Sequence, residues 1–496
     1  MILTNGRIYT LDPVAPRIAG LPITRDGKVA RGVEAWEGDA SQVSNERIDL
    51  DGRTVLPGLV DAHVHFRTWA IERARVDLAG SRSVREIAER AAAAPDGWVI
   101  GQGWRAAEAG GEPDAALLDE VCGDRPVALW AHDRHTLVLS SRALALTGAA
   151  SPSGILREHE AWAVPLPAPT DAEARAAVDA AQAVAHAAGV TQVHDFERHG
   201  GFGIWQDLHA DRLLTLRVSA ARAAELLAGL RAAELRTGFG DDLLRVGPVK
   251  AFLDGTLGSR TAHMLEPFAD GGTGLELLAG DDFAALVREA AEGGLQVAVH
   301  AIGDAANRAA LDAFAATRDA WAPAGLRPRI EHAQLLHPDD VGRFAELGVI
   351  ASMQPSHAPS DRDGADAAWG ERAAGAYAWR SLADAGAALA FGSDAPIEPL
   401  RPLDGIHAAV NRTLDDRPPW RPEQALTVTE AVAGFTTGAA YAVGRERQLG
   451  RLAPGFAADL VVLDGDPFDV PPERIGSIAV VATMVAGRWV HGRPPW

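Results

Sequence analysis

The strongest constraint on what this chain can fold into is an alternation of segment types. Short runs rich in β-branched residues recur along the sequence, each followed by an Ala-rich amphipathic stretch. That order of types marks parallel βα units. The candidate strands are residues 55–65, 190–196, 214–219, 246–253, 295–300, 329–332, 349–354 and 388–394. Eight such strands close a (β/α)₈ barrel of the TIM type, so the fold class is α/β. The helices between them are punctuated accordingly. Thr170 with Glu173 reads as a capping box, and Gly189 falls just past the end of the helix it opens. Asp282 reads as the cap of a helix stopped by Gly293-Gly294, and Pro338 fits the first turn of a helix ending near Gly348.

Two regions break the alternation. About a hundred residues separate the first candidate strand from the second, far more than a βα connection needs. The segment from about 67 to 166 is therefore an insertion with structure of its own. The chain ends, 1–54 and 450–496, carry short strands and turns such as MILTNGRIYTL, ADLVVLDGDP and MVAGRWVHGRP. Neither end is large enough to fold alone. They are expected to pair as one small β-sandwich beside a barrel spanning 55–449.

Composition narrows the partners. The 496 residues carry 47 Lys+Arg against 67 Asp+Glu, a formal charge of −20. So acidic a surface repels phosphate backbones and anionic lipid, so neither nucleic acid nor membrane is an expected partner. The single cysteine, Cys122, rules out an intrachain disulfide and a cysteine-based zinc site. The opening MILTNGRIYTLDP has no basic stretch followed by an apolar core, and the Ala-rich segments are broken by charges. A cytoplasmic protein is the expectation. A homodimer is the commonest prior for oligomeric state.

The chemistry gathers at strand ends. In the first candidate strand, Asp61-Ala62-His63-Val64-His65 places His63 and His65 at i and i+2, on one face, where both can aim at one metal ion. An isolated His-x-His is weak evidence. However, His300 ends the fifth strand, His332 the sixth and Asp394 the eighth, while Lys250 lies near the end of the fourth. Polar groups at the C-terminal ends of barrel strands converge on one mouth. The set reads as metal ligands. No GxSxG elbow or P-loop occurs, and nothing surrounds Cys122 that suggests a nucleophile.

At this point the sequence resembles the amidohydrolase superfamily, and more narrowly the YtcJ-like group of amidohydrolase-3 proteins, which includes N-substituted formamide deformylases. The resemblance covers nearly the whole chain. It is carried by LPGLVDAHVHF, GWVIGQGW, HDRHTLVLSSRAL, GVTQVHDF, VKAFLDGTLGSRTA, VAVHAIGD, IEHAQ, SMQP, FGSDAP and GRLAPGFAADLVVLDGDPF. It implies that His63 and His65 bind a more buried metal and that His300 and His332 bind a second. It also implies that Lys250, carboxylated on its amine, bridges the two, and that Asp394 ligates the buried metal and shuttles the proton. Residue chemistry agrees, because a carbamate supplies two anionic oxygens where a neutral amine cannot bridge cations. Water between two metals has its pKa pulled toward neutrality, and the resulting hydroxide attacks a carbonyl, with Asp394 taking the water's proton and passing it to the departing nitrogen.

Other positions are secondary. His135 belongs to the insertion, which is read as a lid, and is a candidate for touching substrate. Trp104 is a candidate pocket wall. Arg260, which follows Ser259 after the fourth strand, is a candidate for an anionic or carbonyl group. Gln354 is a candidate for hydrogen-bonding a substrate amide. Asp254 and His194 are candidates for supporting the ligands. The reading is hydrolysis of a non-peptide carbon–nitrogen bond in a small amide, such as an N-substituted formamide, with two Zn²⁺ per chain as the first expectation. The alternative within the superfamily is a one-metal deaminase of a heterocycle using His63, His65, His300 and Asp394 without a carboxylated Lys250. A non-catalytic scaffold would be marked by lost ligands, and all are retained.

Overall fold

The computed structural model describes residues 1–31, 46–73, 75–131, 136–157, 160–161 and 163–494. Eight parallel strands form the sheet foreseen from the alternation. They are β1 (Leu59–Val64), β2 (Val190–Asp195), β3 (Arg217–Ala223), β4 (Leu244–Phe252), β5 (Val297–Ala301), β6 (Arg329–His332), β7 (Ile350–Met353) and β8 (Leu389–Phe391). Each pairs with the next in sequence, and no strand is skipped. Every residue of β1, β2, β5, β6 and β7 is buried, as expected of strands covered by helices on one side and by barrel interior on the other. The capping box at Thr170 and Glu173 is present, with Thr170 accepting from the Glu173 amide at 3.2 Å and Glu173 accepting from the Thr170 amide at 2.8 Å. Asp282 is not a cap. The helix starts earlier, at Gly280, behind Ala279, and Asp282 lies in its first turn, where a carboxylate still favours the helix dipole.

The run 55–65 proves to be two strands. Thr54–Pro57 pairs antiparallel with Leu460–Leu463, and β1 then enters the barrel. Gly58 is the joint, and a Cβ there would lie 2.4 Å from the Thr191 side chain. Only glycine permits so close a passage. The two chain ends do meet, in a seven-stranded sheet that runs through Arg17–Pro22, Ile2–Tyr9, Thr54–Pro57, Leu460–Leu463, Val480–Val485 and Arg488–His491, with Arg47–Asp49 beside Ile2–Tyr9. A sandwich needs two facing sheets, and the described residues of the ends form one. Leu56, Val461 and Leu463 join the barrel's apolar core. A buried ion pair between Arg217 of β3 and Asp459 (2.6 Å) ties that sheet to the barrel.

Residues Arg67–Val178 form a compact unit of their own. Its five-stranded sheet has the order Ile155–Arg157, Thr136–Leu139, Val127–Ala131, Val99–Trp104, Val76–Asp77. Helices Val84–Ala92 and Ala115–Cys122 share with the sheet a core that includes Leu78, Trp104, Leu129 and Cys122. No helix among the described residues is long and apolar enough to cross a membrane.

The barrel closes just beyond the ends of β8 and β1. The Asp394 amide donates to the His63 carbonyl at 2.7 Å, and the His65 amide donates to the Ala395 carbonyl at 2.9 Å. The Asp61 carboxylate pins the same seam, accepting from the Ser393 amide (2.9 Å), the Ser393 hydroxyl (2.5 Å) and the His63 amide (3.2 Å). Burial pushes the Asp61 carboxyl up to about 6 against the pull of those hydrogen bonds. Gly392 makes the approach feasible, because a Cβ there would lie 2.3 Å from the His63 nitrogen. Gly392→Ala is therefore predicted to destabilise the fold by about 1–3 kcal/mol through overpacking. Gly342→Ala, in the helix Pro338–Leu347 with its nearest atom 4.0 Å away, should be neutral or stabilising by up to about 1 kcal/mol. Equilibrium denaturation of the two variants checks both, and equal stabilities would refute the seam's role.

Candidate metal centre

His63 and His65 leave β1 on one face, as the i, i+2 spacing requires. Asp394 faces them from the turn after β8, with its Oδ1 3.6 Å from His63 Nε2 and 3.3 Å from His65 Nε2. Donor atoms of these three residues all lie within 4.8 Å of one another, and so do those of His332, His357 and Asp394. The His332 ring centroid is 4.9 Å from that of His63 and 4.5 Å from that of His300. His63, His65, Lys250, His300, His332, His357 and Asp394 all line one cavity of about 480 Å³, a size suited to a small molecule. The six residues expected as ligands are thus brought together.

Their partners prepare them for a cation. His63 Nδ1 bonds the Glu331 carboxylate at 2.6 Å, His332 Nδ1 bonds Gln354 Oε1 at 2.8 Å, and His300 Nε2 bonds the Gly255 carbonyl at 2.9 Å. Each partner is an acceptor, so that ring nitrogen carries the hydrogen and the other keeps its lone pair. This is how metal-ligating imidazoles are oriented. Burial lowers His63 to about 4 and His300 to about 3, and lowers His332 well below its ordinary value. All three are neutral at neutral pH, the ligating form. Burial would raise the Asp394 carboxyl, but the His65 imidazole beside it, 3.3 Å away, holds it well below the usual range. His63 Nε2, Lys250 Nζ and Asp394 Oδ1 are buried without a hydrogen-bond partner. Three orphaned polar atoms of residues lining one cavity cost several kcal/mol unless something binds them, so the residues fit a divalent metal.

Lys250 sits between aromatic rings, its Nζ 4.9 Å from the Phe196 centroid and 5.0 Å from that of Phe252. Burial lowers its ammonium to about 8. Behind the site, fully buried Arg329 pairs with Glu331 at 2.5 Å and donates to the Ala62 carbonyl at 2.7 Å. Burial would raise the Glu331 carboxyl, yet Arg329 and His63 hold it well below the ordinary range. His194 Nδ1 lies 3.2 Å from Arg329. Asp254 accepts from the amides of His263, Ile302 and Gly303 at 2.8–3.0 Å, which fixes the loop after β5. His332 (φ 73°) and Asp394 (φ 59°) both sit in the left-handed region, so the backbone is strained where two donors are aimed.

Three secondary expectations change. Trp104 is 1 % exposed within the insertion's core, its indole N–H donating to the Leu129 carbonyl at 3.3 Å, so it fills that core instead of walling a pocket. Arg260 pairs with Asp270 at 3.0 Å and donates to the Leu257 carbonyl, so its charge is already matched. Gln354 does not line the cavity, and its Oε1 is turned to His332, where it can orient that ring. His135 lies outside the described residues. Sequence reasoning gave no role to Glu331 or His357. Glu331 was signalled by two charges, Arg329 and Glu331, in an otherwise buried strand, since such a pair belongs inside the barrel. His357 was signalled only by its place just past β7.

Comparison with known proteins now bears on this geometry. The model of the amidohydrolase-3 branch of the amidohydrolase family matches residues 46–491. The chain belongs to that family. Protein LONG AFTER FAR-RED 3 of Arabidopsis thaliana is 32% identical over 99% of this chain and 91% of its own. YtcJ of Bacillus subtilis, which carries the name of an amidohydrolase, is 29% identical over 98% of each chain. N-substituted formamide deformylase of Arthrobacter pascens is 25% identical over 98% of this chain and 97% of its own. An uncharacterized metal-dependent hydrolase from Pyrococcus furiosus superposes with a TM-score of 0.79 at 32% identity, over 94% of this chain and 99% of that one.

The orientation of His332 yields a test. Gln354→Ala removes the acceptor at its Nδ1 and is predicted to weaken metal affinity about 10–100-fold, measured by competition with a chromophoric chelator. An unchanged affinity would show that Gln354 does not orient a ligand.

Proposed function

We propose that this protein is a metal-dependent hydrolase that cleaves a carbon–nitrogen bond in a small linear amide, with N-substituted formamides the leading class. The observation that carries the reading is that His63, His65, His300, His332, Asp394 and Lys250 line one cavity, with His63 Nε2, Asp394 Oδ1 and Lys250 Nζ left without hydrogen-bond partners. The names of the Arthrobacter deformylase and the Pyrococcus hydrolase support it. His63, His65 and Asp394 would hold one ion and His300 and His332 a second, with Lys250 carboxylated to bridge them. Zinc is the first candidate for such a donor set. Bound there, divalent metal supplies Lewis acidity that polarises a carbonyl and acidifies water.

The chain's own groups do the rest. Asp394, held ionised, accepts a proton from water at the carboxylate and returns it to the departing nitrogen. Glu331 and Gln354 keep His63 and His332 from rotating. Burial of the Lys250 amine favours the neutral form that reacts with CO₂. A mononuclear deaminase is the second reading, because donor atoms of His63, His65 and Asp394 lie within 4.8 Å of one another and could hold a single ion.

Asp394→Asn is predicted to lower turnover about 10²–10⁴-fold while the protein stays folded and largely retains metal. Formate release from N-alkylformamides is the assay, and turnover unchanged from wild type would refute the proton-shuttle role. Exhaustive chelation should abolish the same activity, with added Zn²⁺ restoring it. Activity that survives metal removal would refute metal dependence.

A further inference from the structure

The cavity has a second charged feature, away from the residues that aim at metal. Asp361, one turn into the helix His357–Trp369, and Glu398, just after β8, both line it. Among the described residues, neither carboxylate is paired with a lysine or arginine. Among the described residues lining the cavity, Lys250 is the one basic side chain besides histidines. Nearby arginines are committed elsewhere, Arg362 and Arg417 to Asp363 (3.8 and 2.9 Å) and Arg421 to Asp366 (3.2 Å). Asp361 accepts one hydrogen bond, from the Tyr377 hydroxyl to Oδ2 at 2.5 Å. Burial, and after it the Asp361 and Asp394 carboxylates, push the Glu398 carboxyl above its ordinary value despite His357 and Ser360 beside it.

A third acceptor is independent of the acidic pair. Gln334, 4 % exposed, lines the same cavity. Its Nε2 approaches His357 Nδ1 at 3.4 Å, while its Oε1 is buried with no partner. Two unmatched carboxylates and an orphaned carbonyl in one cavity ask for a ligand that brings both positive charge and N–H donors.

We propose that the substrate carries a primary ammonium or guanidinium group, received by Asp361, Glu398 and the Gln334 carbonyl while its reacting carbonyl faces the metal-binding residues. The proposal deepens the amide-hydrolase reading and rests on it only in taking this cavity as the substrate pocket. Ile397 and Leu257, also in the lining, offer apolar contact to a short linker between the two ends of such a molecule.

The test is calorimetric titration of metal-loaded protein with 6-aminohexanamide, its N,N,N-trimethylammonium analogue and hexanamide. The ammonium compound should bind about tenfold or more tightly than hexanamide. The trimethylated compound, which cannot donate, should lose most of that advantage. Asp361→Asn and Glu398→Gln should each reduce the preference severalfold or more and leave hexanamide binding unchanged. Should loss of the Tyr377 contact unfold the first variant, the second carries the test. Equal affinities, no binding by any of the three, or a preference that survives the substitutions would overturn the proposal. Turnover is scored separately. Cation-selective binding without amide cleavage would refute the hydrolase reading and keep this one. Cleavage of neutral formamides with no cation preference would do the reverse.

Discussion

Everything at the barrel mouth depends on the seam where β8 meets β1. Two backbone hydrogen bonds close it, one from Asp394 to His63 and one from His65 to Ala395, so the residues that close the fold are the ones that supply the first three donors. Asp61 bonds both sides of the seam from beneath. The distance between His63 and Asp394 is therefore set by backbone geometry, and it does not rely on loop flexibility. A site built this way is held to a fraction of an ångström, which catalysis needs.

Electrostatics follow from that geometry. The barrel interior holds Arg329 and Glu331 as a fully buried pair, and the pair extends to His63 through the carboxylate. Removing either member would strand a charge, an error of about 3–5 kcal/mol, so the pair's specificity is structural as well as functional. Above it, burial keeps His63, His300 and His332 neutral, while His65, 3.3 Å from Asp394, favours the ionised carboxylate. One environment thus prepares neutral and anionic donors side by side, the arrangement that divalent cations prefer.

Much of this was legible in the sequence. The eight strands follow from hydrophobic runs separated by helical stretches, because burial on both faces leaves a continuous apolar signature. The gathering of His63, His65, Lys250, His300, His332 and Asp394 at one cavity was legible because strand ends share one mouth. Side-chain direction was not legible. Gln354 and Arg260 sit where a pocket residue would, but Gln354 turns to His332 and Arg260 to Asp270, choices made by partners distant in sequence. Trp104 belongs to a core that includes Leu78, Leu129 and Val138, all distant from it in sequence. Likewise Glu331 touches His63 across 268 positions. The run 55–65 looked like one strand because the break falls at Gly58, whose reason is the approach of Thr191.

The central claim is that this cluster is a metal centre. Elemental analysis of protein purified without a metal-chelating tag tests it most directly. Close to two equivalents of divalent metal per chain, retained through gel filtration, are expected. Protein that holds none, even after reconstitution with zinc and bicarbonate, would contradict it.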